Sequence, residues 1–380
     1  MLPREYAPGR RTMGAAILTV AATYAYFLLF AQFAFLRQVT AVAGGTRAVI
    51  GPIMAVMGLA GVAGSWLAAR TFRLERSRRM LATGLGLNGA AAVLSLAARV
   101  PAALHLVSLL VGLGAGLATV TLACLLRPAV GSERLGTVVG LGTGLAYAFC
   151  NVPVVFAAGT SAQALVAALV AFGGALAAGQ LTLDGPRETP LGYDYSRAGQ
   201  AGWIAVFLVL VAVDSTAFAI IQQTPALKER TWAGSGQLEM NALIHFIAAM
   251  LAGFALDRRW VGRTTLAGAL LLFAALALLA LDARAFAPWA EFYTAGVSLY
   301  STALVFYPAR GSRPRSAALF YSIAGWGGSA LGVVLAADRH ELPGSELAIA
   351  AALVAAILAD RKRRSWRELM AGEGPDDDAS

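Results

Sequence analysis

The sequence predicts an all-α membrane protein, with twelve transmembrane helices arranged as two six-helix bundles. Three observations carry that expectation. Of 380 residues, 58% are hydrophobic and only 13% charged, against about 45–50% apolar and about 25% charged in a soluble domain. Twelve apolar runs approach the roughly 20 residues that a helix needs to cross the hydrocarbon core. The basic residues alternate between the two predicted sides of the membrane with a strong bias.

The runs lie near 14–36, 48–69, 80–98, 102–126, 135–158, 161–182, 202–223, 238–256, 264–281, 286–307, 316–337 and 345–360, the last being the shortest. Backbone polar groups in lipid have to be satisfied within the segment, and runs of this length suit helices, not barrel strands. The first run follows Arg4, Arg10 and Arg11. It exceeds the 7–15 residues of a signal-peptide core, so it is expected to stay as span 1. With the N-terminus on the cytoplasmic side, 23 of the 30 Lys and Arg fall on that side and 7 on the other. This is the positive-inside pattern. It places both termini in the cytoplasm and the chain in a plasma membrane of the bacterial inner-membrane type. Arg makes up 28 of the 30 bases. Their clustering at the ends of apolar runs fits membrane topology, so the expected partner is the lipid bilayer and not nucleic acid.

The longest polar interval between spans is 183–201, "LDGPRETPLGYDYSRAGQA", whose prolines, glycines and mixed charges indicate a linker. It divides an N-terminal bundle (1–182) from a C-terminal one (202–360). The tail, 361–380, starts basic, which suits anionic headgroups, and ends acidic, as disordered segments do.

The halves align at an offset of 191, where Gln32 meets Gln223, Leu36 meets Leu227 and Arg37 meets Lys228. A second correspondence joins "GSWLAARTFRLERSRRML" (Gly64–Leu81) to "GFALDRRWVGRTTL" (Gly253–Leu266). In the latter, Gly253, Asp257, Arg258, Gly262 and Arg263 resemble the G-x-x-x-D-R-x-G-R loop signature of the major facilitator superfamily. Two extra residues separate Arg258 from Gly262, and the first-half copy has Ala68 in place of the acid. An Asp at a helix C-terminus sits poorly with the helix dipole, so Arg258, Arg259 and Arg263 are expected to pair with Asp257. The resemblance implies a secondary transporter in which two bundles rock around a central site near the bilayer midplane. It also implies that spans 1, 4, 7 and 10 line the cavity.

Ionisable groups at membrane depth are costly and usually face the protein interior. Asp214, about twelve residues into span 7, is the only carboxylate at such depth. It is the candidate for proton coupling or cation binding; the alternative is a structural hydrogen bond to a neighbouring helix. His245 in span 8 is a second proton-coupling candidate, with Asn241 one turn before it on the same face. His245 with Met54, Met57 and Met250 would offer soft-metal donors, although Met more often fills gaps in a core. Tyr24, Gln32, Ser215, Gln222, Gln223 and Asn151 are further candidates to contact solute, or to bond between helices. In span 10, Tyr293, Tyr300 and Tyr307 form one stripe; Tyr300, at mid-depth, is the cavity candidate, whereas the outer two suit an interface belt. Gly136, Gly140 and Gly144 in span 5 make a small-x-x-x-small face for close packing, and Asn151 with Pro153 predicts a kink.

Several classes are excluded. No phosphate-binding G-x-x-x-x-G-K-[ST] loop, nucleophile elbow, H-E-x-x-H or carboxylate pair occurs, so neither an ATP-driven pump nor an enzyme is expected. Cys124 and Cys150 lie in apolar runs without a C-x-x-C pattern, so no cofactor or metal is expected. Mid-membrane Arg and Lys are absent: Arg37 and Lys228 lie near the outer surface and Arg127 near the inner one. This leans away from organophosphates and dicarboxylates, towards a small neutral, cationic or amphipathic solute, moved by a monomer with proton coupling. The alternatives are a non-transporting assembly factor or sensor, and an uncoupled facilitator or copper-type metal transporter.

Overall fold

The computed structural model describes residues 9–42, 44, 47–183, 197–232, 234–280, 289–336, 347–357 and 359. Most of the expected linker, 184–196, and the tail beyond 360 lie outside the described residues. Every regular element among the described residues is helical.

The long helices are α1 (Arg10–Val42), α2 (Arg47–Thr71), α3 (Leu74–Ser95), α4 (Pro101–Val130), α5 (Leu135–Cys150) and α6 (Thr160–Gly179). They continue with α7 (Arg197–Gln223), α8 (Gly234–Asp257), α9 (Val261–Ala280), α10 (Trp289–Gly311), α11 (Pro314–Leu335) and α12 (Leu347–Ile357). Two short helices, Pro153–Phe156 and Pro225–Trp232, sit in connections. Among the described residues, eight helices are long and apolar enough to cross a membrane. The others fall short for reasons visible in the chain. α3 opens with Glu75, Arg76, Arg78 and Arg79, and α10 carries a stripe of Tyr, Ser and Thr. α5 stops at Asn151 before Pro153, at the expected kink, and the described part of α12 is short.

Elementary rules set the boundaries. Pro starts α4 and α11, where its missing N–H costs nothing. Gly131 ends α4 with φ 76°, in the region open chiefly to glycine. Within the helices, hydroxyls turn back onto the carbonyl one turn earlier: Thr19 onto Ala15 (2.6 Å), Thr23 onto Thr19 (2.8 Å), Thr143 onto Val139 (2.8 Å) and Thr302 onto Ser298 (2.7 Å). Such bonds satisfy donors that would otherwise be stranded in an apolar medium.

Side-chain bonds identify the two ends of the bundle. At the arginine-rich end, Thr12 bonds Thr182 (2.6 Å), and Arg78 donates to the Leu181 carbonyl (3.0 Å). At the opposite end, Gln38 donates to the carbonyls of Ser95 (2.5 Å) and Ala98 (3.1 Å), joining the end of α1 to the end of α3.

The two halves of the chain meet along seams of small residues. α5 packs on α8, and α2 packs on α11. In the first seam, a Cβ added at Gly140 would stand 2.8 Å from the Gly253 Cα, and one at Gly253 would stand 3.0 Å from the Gly140 Cα. Gly136 and Gly144 extend the contact towards Gly253 and Phe246. The small-residue face of α5 is thus a seat for α8, and Gly253 is needed because two backbones approach there. In the second seam, Trp326 of α11 lies directly over Gly61 of α2.

Overpacking a close helix contact costs about 1–3 kcal/mol. Gly140→Val and Gly253→Val are therefore expected to lower the thermal unfolding temperature of the detergent-solubilised protein by several degrees. Gly86→Val, at a position with open space within 4 Å, is expected to leave it nearly unchanged.

Candidate functional site

Asp214 sits on α7 and accepts two hydrogen bonds from α10. Tyr293 Oη donates to Oδ1 at 2.7 Å, and Tyr300 Oη donates to Oδ2. The pairing follows from the seven-residue interval between the tyrosines, which keeps both on one helix face about two turns apart. Tyr293, expected in an interface belt, instead joins Tyr300 in holding the carboxylate. Both tyrosines are buried, whereas Asp214 is half-buried. Asp214 has no basic partner among the described residues.

A second layer lies beside the first. Tyr147 of α5 donates to or accepts from Ser301 Oγ at 3.0 Å, next to Tyr300. Its ring stacks on His245 of α8, with centroids 4.5 Å apart and planes 17° apart. His245 Nδ1 and Ser298 Oγ share a 2.6 Å bond, and Thr143 bonds Thr302 at 3.0 Å. Across the bundle, Tyr24 of α1 and Tyr321 of α11 share a 3.3 Å hydroxyl contact. Tyr147 lies within electrostatic reach of both Asp214 and Tyr24. Asp214, Tyr24 and Tyr147 each keep some accessible surface. α1, α5, α7, α10 and α11 all contribute to this cluster.

The backbone is also unusual here. Phe27–Ala34 of α1 and Tyr321–Gly327 of α11 are π-helical, and Phe27 meets Trp326 edge-on at 6.2 Å. Widened turns of this kind often accompany functional sites.

The other sequence candidates are placed as follows. Gln32 lies in the π-helical part of α1 and is half-buried, as are Ser215 and Gln222; Gln223 is exposed. Ser215 packs against Gly332 of α11. Asn241 is buried at the opposite end, where it donates to the Thr231 carbonyl (2.8 Å) and accepts from Gln237 (3.0 Å) and Thr294 (3.4 Å). Asn151 caps α5 through the Tyr147 carbonyl (2.9 Å), and its Oδ1 is buried without a partner. Asp214 and Tyr300 thus come together directly, and His245 and Tyr24 lie in the surrounding layer. The repeat mates Gln32 and Gln223 do not bond each other.

Asp257 corrects an expectation. Its carboxylate is held chiefly by donors from another helix, with Arg258 of the three expected bases within electrostatic reach. It caps the N-terminus of α5, in the other half of the chain: Oδ1 accepts from Gly136 N (2.5 Å), and Oδ2 accepts from Thr137 N (2.8 Å) and Thr137 Oγ1 (2.5 Å). A helix N-terminus offers free N–H donors and positive potential, so it satisfies an anion well. Arg258 lies 3.4 Å over the Phe254 ring, Arg263 faces Trp260 at 5.2 Å, and Gly262 is half-buried in the same turn. Close by, Arg127 of α4 donates to the Arg310 carbonyl of α10 (3.1 Å). These bonds join the two halves at the arginine-rich end.

At the opposite end, four rings join the halves. Phe33 of α1 meets Phe156 (5.5 Å), Phe218 of α7 (5.2 Å) and Trp232 (6.2 Å), and Trp232 also meets Phe218 (5.6 Å) and Phe156 (6.1 Å). Gln163 fixes the short helix that carries Phe156, donating to the carbonyls of Val155 (3.0 Å) and Phe156 (2.9 Å) and accepting from Arg37. Sequence reasoning did not single out this cluster, because isolated aromatics in apolar runs look alike until the halves are assembled.

The chain has the fold of the major facilitator superfamily transporters. No protein-family model matches its sequence, and no curated protein matches it. Solved structures do. The human organic anion transporter MFSD10 (TETRAN) superposes with a TM-score of 0.63 at 15% identity, covering 93% of this chain and 99% of that one. FucP, a major facilitator transporter in the outward conformation, gives the same score and identity, covering 93% and 98%.

Removing either set of contacts is expected to open its own end. In a variant lacking Cys124 and Cys150, Asp257→Ala should raise the reactivity of a cysteine substituted for Ala309 towards a water-soluble maleimide about tenfold. Phe33→Ala should leave that rate unchanged, because it loosens the far end.

Proposed function

We propose that this chain is a secondary active transporter of twelve spans in a 6+6 arrangement, working by alternating access in a bacterial inner membrane with both termini cytoplasmic. It moves a small neutral, cationic or amphipathic solute, linked to protons through Asp214. One observation carries this reading: a half-buried carboxylate with only neutral partners sits between the two halves of a fold shared with transporters.

The contacts at the two ends suit the same reading. The Asp257 cap closes the arginine-rich end with charge-assisted bonds, each worth about 1.5–3 kcal/mol. The four rings close the other end through aromatic pairs worth about 0.5–1.5 kcal/mol each. With both sets made, the two halves are held together at both ends, which suits an occluded intermediate. Opening one end breaks one set while the other holds, and the glycine seam lets α5 slide on α8 with little side-chain obstruction. Moving the solute then amounts to exchanging which set is broken.

In the coupling step, Asp214 takes a proton from the side that is open. The neutral acid no longer needs two hydroxyl donors, so its hold on α10 weakens as it loads. Release to the other side restores the carboxylate and its tyrosine bonds. His245, bonded to Ser298 and stacked on Tyr147, lines the same region as a second polar group.

A second reading follows from the same two bonds. Tyr293 and Tyr300 satisfy Asp214 within the protein, as in an uncoupled facilitator where the acid only joins α7 to α10. The experiment separates the two. In proteoliposomes with an internal pH dye, solutes from a broad neutral and cationic panel are added under an imposed pH gradient. Proton-linked transport predicts solute-induced proton movement in the wild type and its loss, at least tenfold, in Asp214→Asn. Solute flux without proton movement would establish the facilitator, and a wild type that moves no solute would refute the transporter reading.

A further inference from the structure

We propose that the solute site around Asp214 is selective for monovalent organic cations, with bulky quaternary or charge-delocalised cations preferred over primary ammonium ions and metals. This deepens the transport reading and rests on it for the location of the site.

The first argument is charge. Asp214 is half-buried between the halves, and its partners are two tyrosine hydroxyls. Hydroxyl donors stabilise a carboxylate without neutralising it. No salt bridge reaches it among the described residues. A charge held at membrane depth needs a counter-charge, and here the protein supplies none. A positive solute completes the site, whereas an anion would meet an unscreened carboxylate.

The second argument is the lining. Tyr293 and Tyr300 of α10 hold the carboxylate, Tyr147 of α5 lies within electrostatic reach of it, and Tyr24 of α1 and Tyr321 of α11 pair beside Tyr147. The chain has ten tyrosines, so half of them converge here. Tyrosine faces carry negative potential, and rings of this kind are how proteins hold quaternary ammonium groups.

The third argument selects among cations. A primary ammonium or a metal ion gains its affinity from several oxygen contacts made at once. A hard metal wants about six oxygen ligands. Among the described residues no cluster of three His, Cys, Asp or Glu side chains exists to hold a metal. Each Asp214 oxygen already accepts one tyrosine bond, so a primary ammonium would compete with hydroxyl donors for the carboxylate. A solute that brings charge and apolar surface, with no donors to satisfy, fits this inventory best.

The test measures binding and transport separately. Wild-type protein in neutral-lipid nanodiscs is titrated with tetraethylammonium, tetraphenylphosphonium, and 3,3-dimethyl-1-butanol beside choline as a neutral and charged pair of one shape. The proposal predicts saturable binding of at least one of the three cations. It also predicts choline over its neutral isostere by tenfold or more wherever choline binds. Asp214→Asn should weaken cation binding at least tenfold. Tyr147→Leu should weaken it by several-fold, and by more than Tyr147→Phe, which keeps the ring. Thermal unfolding confirms that each variant is folded. Binding of none of the three cations to folded wild type overturns the proposal, as does equal binding to Asp214→Asn. The two readings fail differently. Neutral solutes that move protons in vesicles while cations neither bind nor move would remove the cation preference and leave proton-linked transport standing. Cation binding without any flux would leave the site and remove the transporter.

Discussion

One carboxylate held by neutral partners sets the terms for the rest of this structure. Asp214 lies in the apolar middle of α7, and the hydroxyls of Tyr293 and Tyr300 reach it from α10. Placing a charge there is expensive, and two hydroxyls offset only part of that cost. Among the described residues the hydrogen-bond partners of Asp214 are these two neutral hydroxyls. The surrounding layer follows from it. Tyr147, Ser301, Ser298 and His245 form a chain of polar contacts from α5 through α10 to α8, which gives an apolar bundle a consistent polar interior.

The ends of the bundle use different physics. At the arginine-rich end an anion from one half caps a helix of the other, a directional contact that is lost once the N–H groups move away. At the opposite end four rings meet without directed bonds, and such contacts tolerate some sliding. Between them run a seam where glycine faces glycine, α5 on α8, and one where Trp326 covers Gly61. A bundle closed by a few specific contacts at each end and smooth along the middle can rock without unpacking.

Much of this was legible in the sequence. Helix positions followed from apolar run length, and the break after α5 from Asn151 and Pro153. Asp214 stands out in the sequence by its depth alone. Composition also pointed to Gly136, Gly140 and Gly144 as a packing face, although their partner helix could be found only in three dimensions. The misses share a cause. Chain proximity points Asp257 to the arginines beside it, whereas its hydrogen bonds go to the N-terminus of α5, more than a hundred residues earlier. The distance of Tyr293 from the helix end points to a membrane interface, but the pairing of α7 and α10 brings it to the acid. Phe33, Phe156, Phe218 and Trp232 carried no pattern, since each is ordinary in its own helix and they meet only when the halves assemble.

The central claim is that Asp214 exchanges its charge state with a positively charged solute. Infrared difference spectroscopy of the membrane-reconstituted protein measures this directly, by following the C=O stretch of protonated carboxylic acids as tetraphenylphosphonium is added. The account predicts that, at a pH low enough for the wild type to show a carboxylic-acid band that Asp214→Asn lacks, this band disappears on addition. A difference spectrum with no carboxylic-acid change, or one that is the same in both proteins, would contradict it.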